Sequence, residues 1–260
     1  MTMNAGSVTS IFRRLLFHAS PVVGFALTIA MWSLASALVG NESVLPGPVR
    51  TGQAAIELIA NGRLESDILA SLTRVMEGWL LAIAIAVPLG GLMGRNESIR
   101  RVVLPVVEVI RPIPPIAMIP IAILWFGIGA TSQLFIVCYG ALFPMLIGIF
   151  DAFRGVDRIY ENAAQSLGCH GVSLFRRVVV MAALPTVLSS IRIGLGLAFI
   201  SLVASELIAA STGLGALIAN SRVLFQTDYV LVGMITIGLV GFTLGWVMTL
   251  VEGRLTRHWR

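Results

Sequence analysis

Between Pro112 and Phe150 the chain runs for 39 residues without one charged side chain. A helix crosses the hydrocarbon of a bilayer in about 20 apolar residues, at about 1.5 Å each, so this stretch is long enough for two crossings. The break between them is expected in "GIGATSQ", Gly127 to Gln133, where glycines and polar residues cluster. Three more uncharged runs approach or reach spanning length: Pro21–Val39 with 19 residues, Gly78–Gly94 with 17 and Tyr229–Val251 with 23. Ile193–Ser205, at 13 residues, spans only if it continues through Glu206 to about Ala210. That requires the carboxylate to face a protein interior. The reading is an all-α integral membrane protein with six transmembrane helices.

Composition agrees and removes other classes. The chain is 57% hydrophobic and 12% charged, against about 45–50% and about 25% for soluble domains. Most soluble enzymes and any disordered assignment are excluded. All 18 basic residues are arginine. Without lysine no Walker-type phosphate loop, kinase site or lysine Schiff base can be assembled. His18, His170 and His258 are far apart, and Cys138 and Cys169 make no CxxC, so neither a zinc site nor a disulfide framework is indicated. Cys169 and His170 are neighbours with no further ligand nearby in sequence and are read as structural. No arginine cluster interleaved with aromatics points to nucleic acid.

Arginine placement orients the spans. With both termini inside, the inner segments carry 14 arginines and the outer segments four, Arg50, Arg63, Arg74 and Arg222. This satisfies the positive-inside rule, and the opposite orientation would violate it. The expected order is a cytoplasmic segment 1–20, a first span 21–40, an outer segment 41–74, a core of five spans over 75–253 and a cytoplasmic tail 254–260. Arg13 and Arg14 before an apolar run, with Ala35-Ser36-Ala37 after it, could mimic a signal peptide. The run is long enough to span, and an uncleaved helix is expected. The outer segment opens on "LPGP", Leu45 to Pro48, a rigid turn. Ile56, Ile59 and Ala60, then Ile68, Leu69 and Leu72, repeat at helical spacing and predict short helices lying against the bundle.

The inner segment Asp151 to about Arg192 does not suit a simple bundle. Ala163 and Ala164 fall on a short helix that Gly168 should end. A second helix is expected from about Val172, carrying Leu174, Phe175, Val178 and Val179 beside Arg176 and Arg177. Two short helices meeting at a glycine form a knob, and its small apolar face suits a groove on another protein. The same pattern also suits an amphipathic loop resting on anionic lipid.

This segment resembles the conserved cytoplasmic loop of binding-protein-dependent ABC importer permeases. There the loop reads Glu-Ala-Ala, three residues, Gly, nine residues, then Ile-x-Leu-Pro. Asn162, Ala163, Ala164 and Gly168 align with the first half, and Val178 and Val180 with later apolar positions. Asn162 stands in place of the glutamate, with Glu161 one place early, and Met181 in place of the proline. Leu184-Pro185 supply a second Leu-Pro four residues on, a form also seen in the nitrate/sulfonate/taurine subfamily. "RPIPPIAMIPIAILWFGIG" at Arg111–Gly129, "LFRRVV" at Leu174–Val179, "IRIGLGLAF" at Ile191–Phe199 and "GLG" at Gly213–Gly215 are similar to that subfamily too. The resemblance runs from roughly Leu45 to the C-terminus, and five prolines within Pro105–Pro120 make Arg111–Gly129 its most specific part.

The resemblance implies a type I ABC importer-like permease, which carries no cofactor and no ATP site of its own. ATP and Mg would sit on two partner ATPase subunits that receive the cytoplasmic loop as coupling helices. Glu161, Asn162, Ala163, Ala164, Gly168, Leu174, Phe175, Arg176, Arg177, Leu184 and Pro185 are its expected residues. A second permease copy as homodimer and an extracytoplasmic binding protein complete the implied assembly, in a bacterial inner membrane. The implied substrate is a small anion: a sulfonate, nitrate, bicarbonate or an organic acid.

Pathway candidates are fewer. Glu206 lies deep in the fifth span with Ser201 and Ser205 nearby, and could line a cavity or make a structural hydrogen bond. Glu77 is read as interfacial. Arg111, at the inner mouth of the third span, could attract an anion or snorkel to headgroups. Pro88, Pro112, Pro114, Pro115, Pro120 and Pro144 supply kinks, and Gly90/Gly94 and Gly241/Gly245 are GxxxG pairs suited to close packing. A channel or ion-coupled carrier working without an ATPase is the competing class. It needs coupling acids in mid-span, and only Glu206 comes close. An integral membrane enzyme is disfavoured, because no nucleophile motif or paired carboxylates converge.

Overall fold

The computed structural model describes residues 23–257; the expected inner segment 1–20 and the start of the first apolar run lie outside the described residues. From the described part of the first run comes α1, Val23–Val39. There follow α2 (Pro48–Ala60), α3 (Arg63–Arg95), α4 (Glu97–Ile110), α5 (Ile119–Phe126, entered by a 3-10 turn at Pro115–Met118), α6 (Ala130–Arg154) and α7 (Arg158–Ser166). The chain continues as α8 (Gly171–Leu174), one π turn at Phe175–Val179, α9 (Val180–Ala209), α10 (Leu214–Val223) and α11 (Thr227–Leu255). The described residues contain four helical stretches long and apolar enough to cross a membrane, built on α3, α6, α9 and α11; α4 with α5 makes a fifth if that bent pair is one crossing.

Three elements depart from the sequence reading, each for a local reason. Ile68, Leu69 and Leu72 sit on no separate short helix, because α3 starts at Arg63 and runs unbroken for 33 residues. Charged side chains mark where a helix leaves the hydrocarbon, not where it ends, and nothing between Arg63 and Gly78 stops a helix. The second helix of the inner loop likewise runs on through the π turn into α9, with Pro185 inside it, instead of ending as a short element. The third apolar run is not a plain span either: α4 and α5 meet at 87°. Pro114 has no N–H to offer the Ile110 carbonyl four residues back, so the helix cannot continue. The Ile110 carbonyl turns to the Ile113 N–H at 3.1 Å instead, and the Tyr139 hydroxyl braces the bend, lying 3.1 Å from Ile110 O and 3.2 Å from Ile113 O.

The centre of the bundle is α3 against α6, with α9 on the other side of α6. Gly78, Ala82, Ala86, Gly90 and Gly94 recur every four residues along α3 and form one small-residue ridge. A Cβ on Gly90 would come within 2.9 Å of Ile149 Cγ2, and one on Gly94 within 2.6 Å of Phe153 Cβ and 3.1 Å of the Phe150 carbonyl oxygen. The helices touch backbone to backbone there, as packing in lipid favours. Of the second GxxxG pair only Gly241 meets a neighbour, Phe199; Gly245 faces open space. On α9, a Cβ added to Gly140 of α6 would strike Ser201, and one on Gly148 would strike Ser190. A second apolar cluster, from Ala54, Leu58, Leu64, Leu214, Leu217 and Val232, holds α2, α10 and α11 together at the opposite end from α7.

Candidate functional site

The loop between α6 and α9 is a stapled knob. Asp157 caps α7, its side chain accepting the Ile159 N–H at 2.9 Å. At the other end the Gly168 N–H donates to Gln165 O and the Cys169 N–H to Ala164 O, both at 2.9 Å. This is the paired bonding of a Schellman stop, and it requires the left-handed φ of +81° that Gly168 adopts. Gly171, at φ +60°, completes the reversal.

Two contacts fix the knob to the bundle. Glu161 accepts both terminal nitrogens of Arg95, the last residue of α3, at 2.7 Å each. That bidentate hydrogen bond, with the positive charges of Arg95 and Arg158, holds the Glu161 carboxyl below its usual range. Phe175 stacks on Phe153 of α6 with centroids 6.0 Å apart, and Leu174 and Val179 are buried beneath. The outer face is uncovered: Ile159, Leu167 and Val172 are 70%, 88% and 74% exposed. Asn162 and Ala163 share that exposure, Ala164 is half-buried, and Arg176 and Arg177 flank a hollow with Val172 and Met181. Leu184 and Pro185 lie apart from the knob, half-buried on α9.

The pathway candidates divide into two places. Arg111 and Ser201 line one cavity of about 380 Å³, between the α4–α5 bend, α6 and α9. Its walls are apolar apart from Arg111, Ser201 and Tyr139, with Ile113, Pro115, Phe143 and Pro144 among them. Arg111 makes only a loose, exposed pair with Glu108 at 3.7 Å, so its charge is little committed.

Glu206 and Ser205 are not in that cavity. Glu206 is fully buried and belongs to a polar knot. It accepts Ser71 Oγ, Arg74 Nη1 and the Gly215 N–H, each at 2.9 Å. Ser71 in turn accepts the Leu214 N–H at 2.9 Å, and Asp67 accepts the Gly213 N–H at 2.8 Å. Two carboxylates and a hydroxyl therefore satisfy the unpaired amides at the start of α10 and suit the positive end of its dipole. Arg74 also donates to Thr212 O at 2.7 Å and Thr212 Oγ1 at 2.6 Å, closing the turn. Gly213 and Gly215 have no room for a side chain, since a Cβ on either would enter Glu206. Ser205 bonds back to Leu202 O at 2.8 Å.

Asp67, Ser71, Arg74 and Tyr139 were not among the sequence candidates. The first three repeat at i, i+4 and i+7, one polar face on a helix that enters the bilayer, and that pattern is the signal that could have found them. Tyr139 carries no local signal, because its partners are 26 and 29 residues away.

Comparison with known proteins completes the picture. The model of the family described as "binding-protein-dependent transport system inner membrane component" matches residues 82–257. A probable ABC transporter permease protein of Brucella melitensis is 37% identical over 236 residues, 91% of this chain and 95% of that one. The taurine transport system permease protein TauC of Escherichia coli is 32% identical over 235 residues, 88% of this chain and 86% of its own length. In fold, the chain is similar to the inward-facing MetNI methionine ABC transporter, with a TM-score of 0.62 at 20% identity over 76% of this chain and 97% of that one. The chain belongs to the binding-protein-dependent inner-membrane components, and within them to the ABC importer permeases of the nitrate/sulfonate/taurine subfamily.

Proposed function

We propose that this permease is half of the membrane pathway of an ATP-driven importer for a small anion of the sulfonate, nitrate, bicarbonate or organic-acid class. Two copies pair as a homodimer, an extracytoplasmic binding protein delivers the substrate, and two ATPase subunits bind the α7 knobs. ATP and Mg act on those partners. The topology in this reading is six spans with both termini inside: α1, α3, the α4–α5 pair, α6, α9 and α11. The α7 loop then faces the cytoplasm, and the Glu206 knot the outer side.

The observation that carries the reading is the knob. Its apolar outer face is bare, while Arg95–Glu161 and Phe153–Phe175 tie its inner face rigidly to α3 and α6. A partner pushing on α7 would therefore move whole helices instead of bending a loop. Close packing along the α3 ridge transmits that push to the outer half of α3, where Asp67, Ser71 and Arg74 hold the α10 turn. The cavity at the α4–α5 bend, with Arg111 at its edge, is where a small anion is expected to pass.

Three measurements test this. Cys169 is partly exposed and Cys138 buried, so a membrane-impermeant maleimide should label inverted vesicles and not spheroplasts. Labelling of spheroplasts would overturn the orientation. Co-purification of the ATPase should be lost in Gly168→Trp, and uptake that persists without any ATPase would refute the importer reading.

A further inference from the structure

Beneath α7 lies a hollow of about 660 Å³, walled in part by the Arg95–Glu161 tie; the coupling role does not use the hollow's remaining guanidinium groups. It opens between the end of α3, the start of α4, the end of α6 and α7 itself. Four guanidinium groups line it, Arg95, Arg100, Arg154 and Arg158, against two carboxylates, Glu97 and Glu161. Both carboxylates are committed: Glu161 to Arg95 in a bidentate pair, Glu97 to Arg100 and Arg101. Among the described residues Arg154 forms no ion pair, and Arg158 acts on the already paired Glu161 only through space, with no salt bridge to it. Arg154 lies over the Phe150 ring, 5.8 Å from its centroid, which steadies the guanidinium without neutralising it.

We propose that this hollow binds a tetrahedral oxyanion, a phosphate or sulfonate group, between Arg154 and Arg158. The planar fork of a guanidinium matches two oxygens of such a group, and two forks at one concave site match it better than a lone surface arginine does. The position also fits. Arg95 ends α3 and Arg154 ends α6, so the hollow sits where the apolar spans stop, at the depth of lipid headgroups. Basic pockets at that depth between transmembrane helices bind anionic headgroups. The same chemistry serves a free oxyanion arriving from solution. Which leaflet or compartment supplies the ligand rests on the topology proposed above; the binding itself does not.

The test uses the full chain purified in neutral detergent. Native mass spectrometry counts bound phosphatidylglycerol, and calorimetry measures inorganic phosphate and methanesulfonate. Arg154→Gln/Arg158→Gln is compared with Arg254→Gln/Arg257→Gln, which removes the same charge outside the hollow. Arg158→Gln alone is the second variant: its exposed side chain makes no hydrogen bond or ion pair among the described residues, so folding is not at stake. Binding should be about tenfold weaker or more in the hollow variants and unchanged in the control pair. Retention of lipid identifies a headgroup site and saturation by phosphate or methanesulfonate a solution site; either supports the proposal. Equal binding in wild type and Arg154→Gln/Arg158→Gln overturns it, as does equal loss in both pairs, which would mean a diffuse basic surface. Spheroplast labelling of Cys169 would reverse the orientation and leave this outcome untouched.

Discussion

Replacing Arg74 with methionine leaves the Glu206 carboxylate buried without its cation. Glu206 is 0% exposed, and its distance to Arg74 Nη1 is 2.9 Å. At an effective dielectric of about 20, two unit charges about 4 Å apart attract by about 4 kcal/mol. Measured losses on removing one partner of a buried pair run about 3–5 kcal/mol. Two features put this site at the low end. Arg74 is 17% exposed, so water already screens part of the attraction, and the Ser71 and Gly215 donors stay in place. The expected loss is about 3 kcal/mol for Arg74→Met. Glu206→Gln should cost about 1–2 kcal/mol, because Arg74 keeps the Thr212 carbonyl and hydroxyl and some solvent. The double variant should fall short of the sum by about 1–2 kcal/mol, since the second change removes the charge that the first exposed. Equilibrium unfolding in mixed micelles, followed by thiol labelling of buried Cys138 in a Cys169→Ser background, supplies the four values. An Arg74→Met chain within about 0.5 kcal/mol of the parent, or strict additivity in the cycle, would refute the knot as the anchor of the α10 turn.

Gly94→Ala should destabilise by about 1–3 kcal/mol, because the new methyl meets backbone of α6 that cannot yield, whereas Gly245→Ala, facing open space, should stay within about 0.5 kcal/mol in the same unfolding assay. Gly168→Ala meets no neighbour, so its cost is conformational alone, about 1–2 kcal/mol for a left-handed residue; hydrogen exchange at the Gly168 and Cys169 amides should accelerate, and unchanged protection would contradict the Schellman stop. Glu161→Gln should weaken the knob's attachment by about 1 kcal/mol at neutral pH, Arg95 being partly hydrated. Because Arg95 holds the folded-state pKa of Glu161 below the ordinary 4.5, this stabilisation is present above about pH 4.5 and is lost as pH falls through the depressed value. Parent and variant should converge in acid, and a gap that widens there would invert the assignment.

How far the sequence could be read depended on the range of the interactions. The knob was legible, since Ala163, Ala164, Gly168 and the flanking arginines form a local pattern, and the Schellman bonds join residues only three to five apart. Its attachment was not, because Arg95 and Glu161 stand 66 positions apart. Glu206 was visible as an acid in an apolar run. Ser71 and Arg74 lie 135 and 132 residues earlier, so choosing between a cavity-lining acid and a hydrogen-bonded anchor needed their coordinates. Of the two GxxxG pairs, nothing in the spacing distinguished Gly90/Gly94, pressed on α6, from Gly245, which touches nothing.

By itself the sequence determined that the chain is helical and lives in a membrane: 39 uncharged residues in one run leave no other solvent in which backbone and side chains are both satisfied. It also determined the family and the turn that ends α7, because motif and turn chemistry are written in adjacent residues. Tertiary structure decided where helices stop. Polarity reports the edge of the bilayer, and α3 passes through that edge without a break; at the end of α4 the Ile110 carbonyl is met locally by the Ile113 N–H and, from 29 residues away, by the Tyr139 hydroxyl, which also meets Ile113 O. It decided as well which arginines pair with carboxylates, as Arg74, Arg95 and Arg192 do, and which, Arg154 and Arg158 among them, form no ion pair among the described residues, since neutralisation depends on distance in space and not on order in the chain.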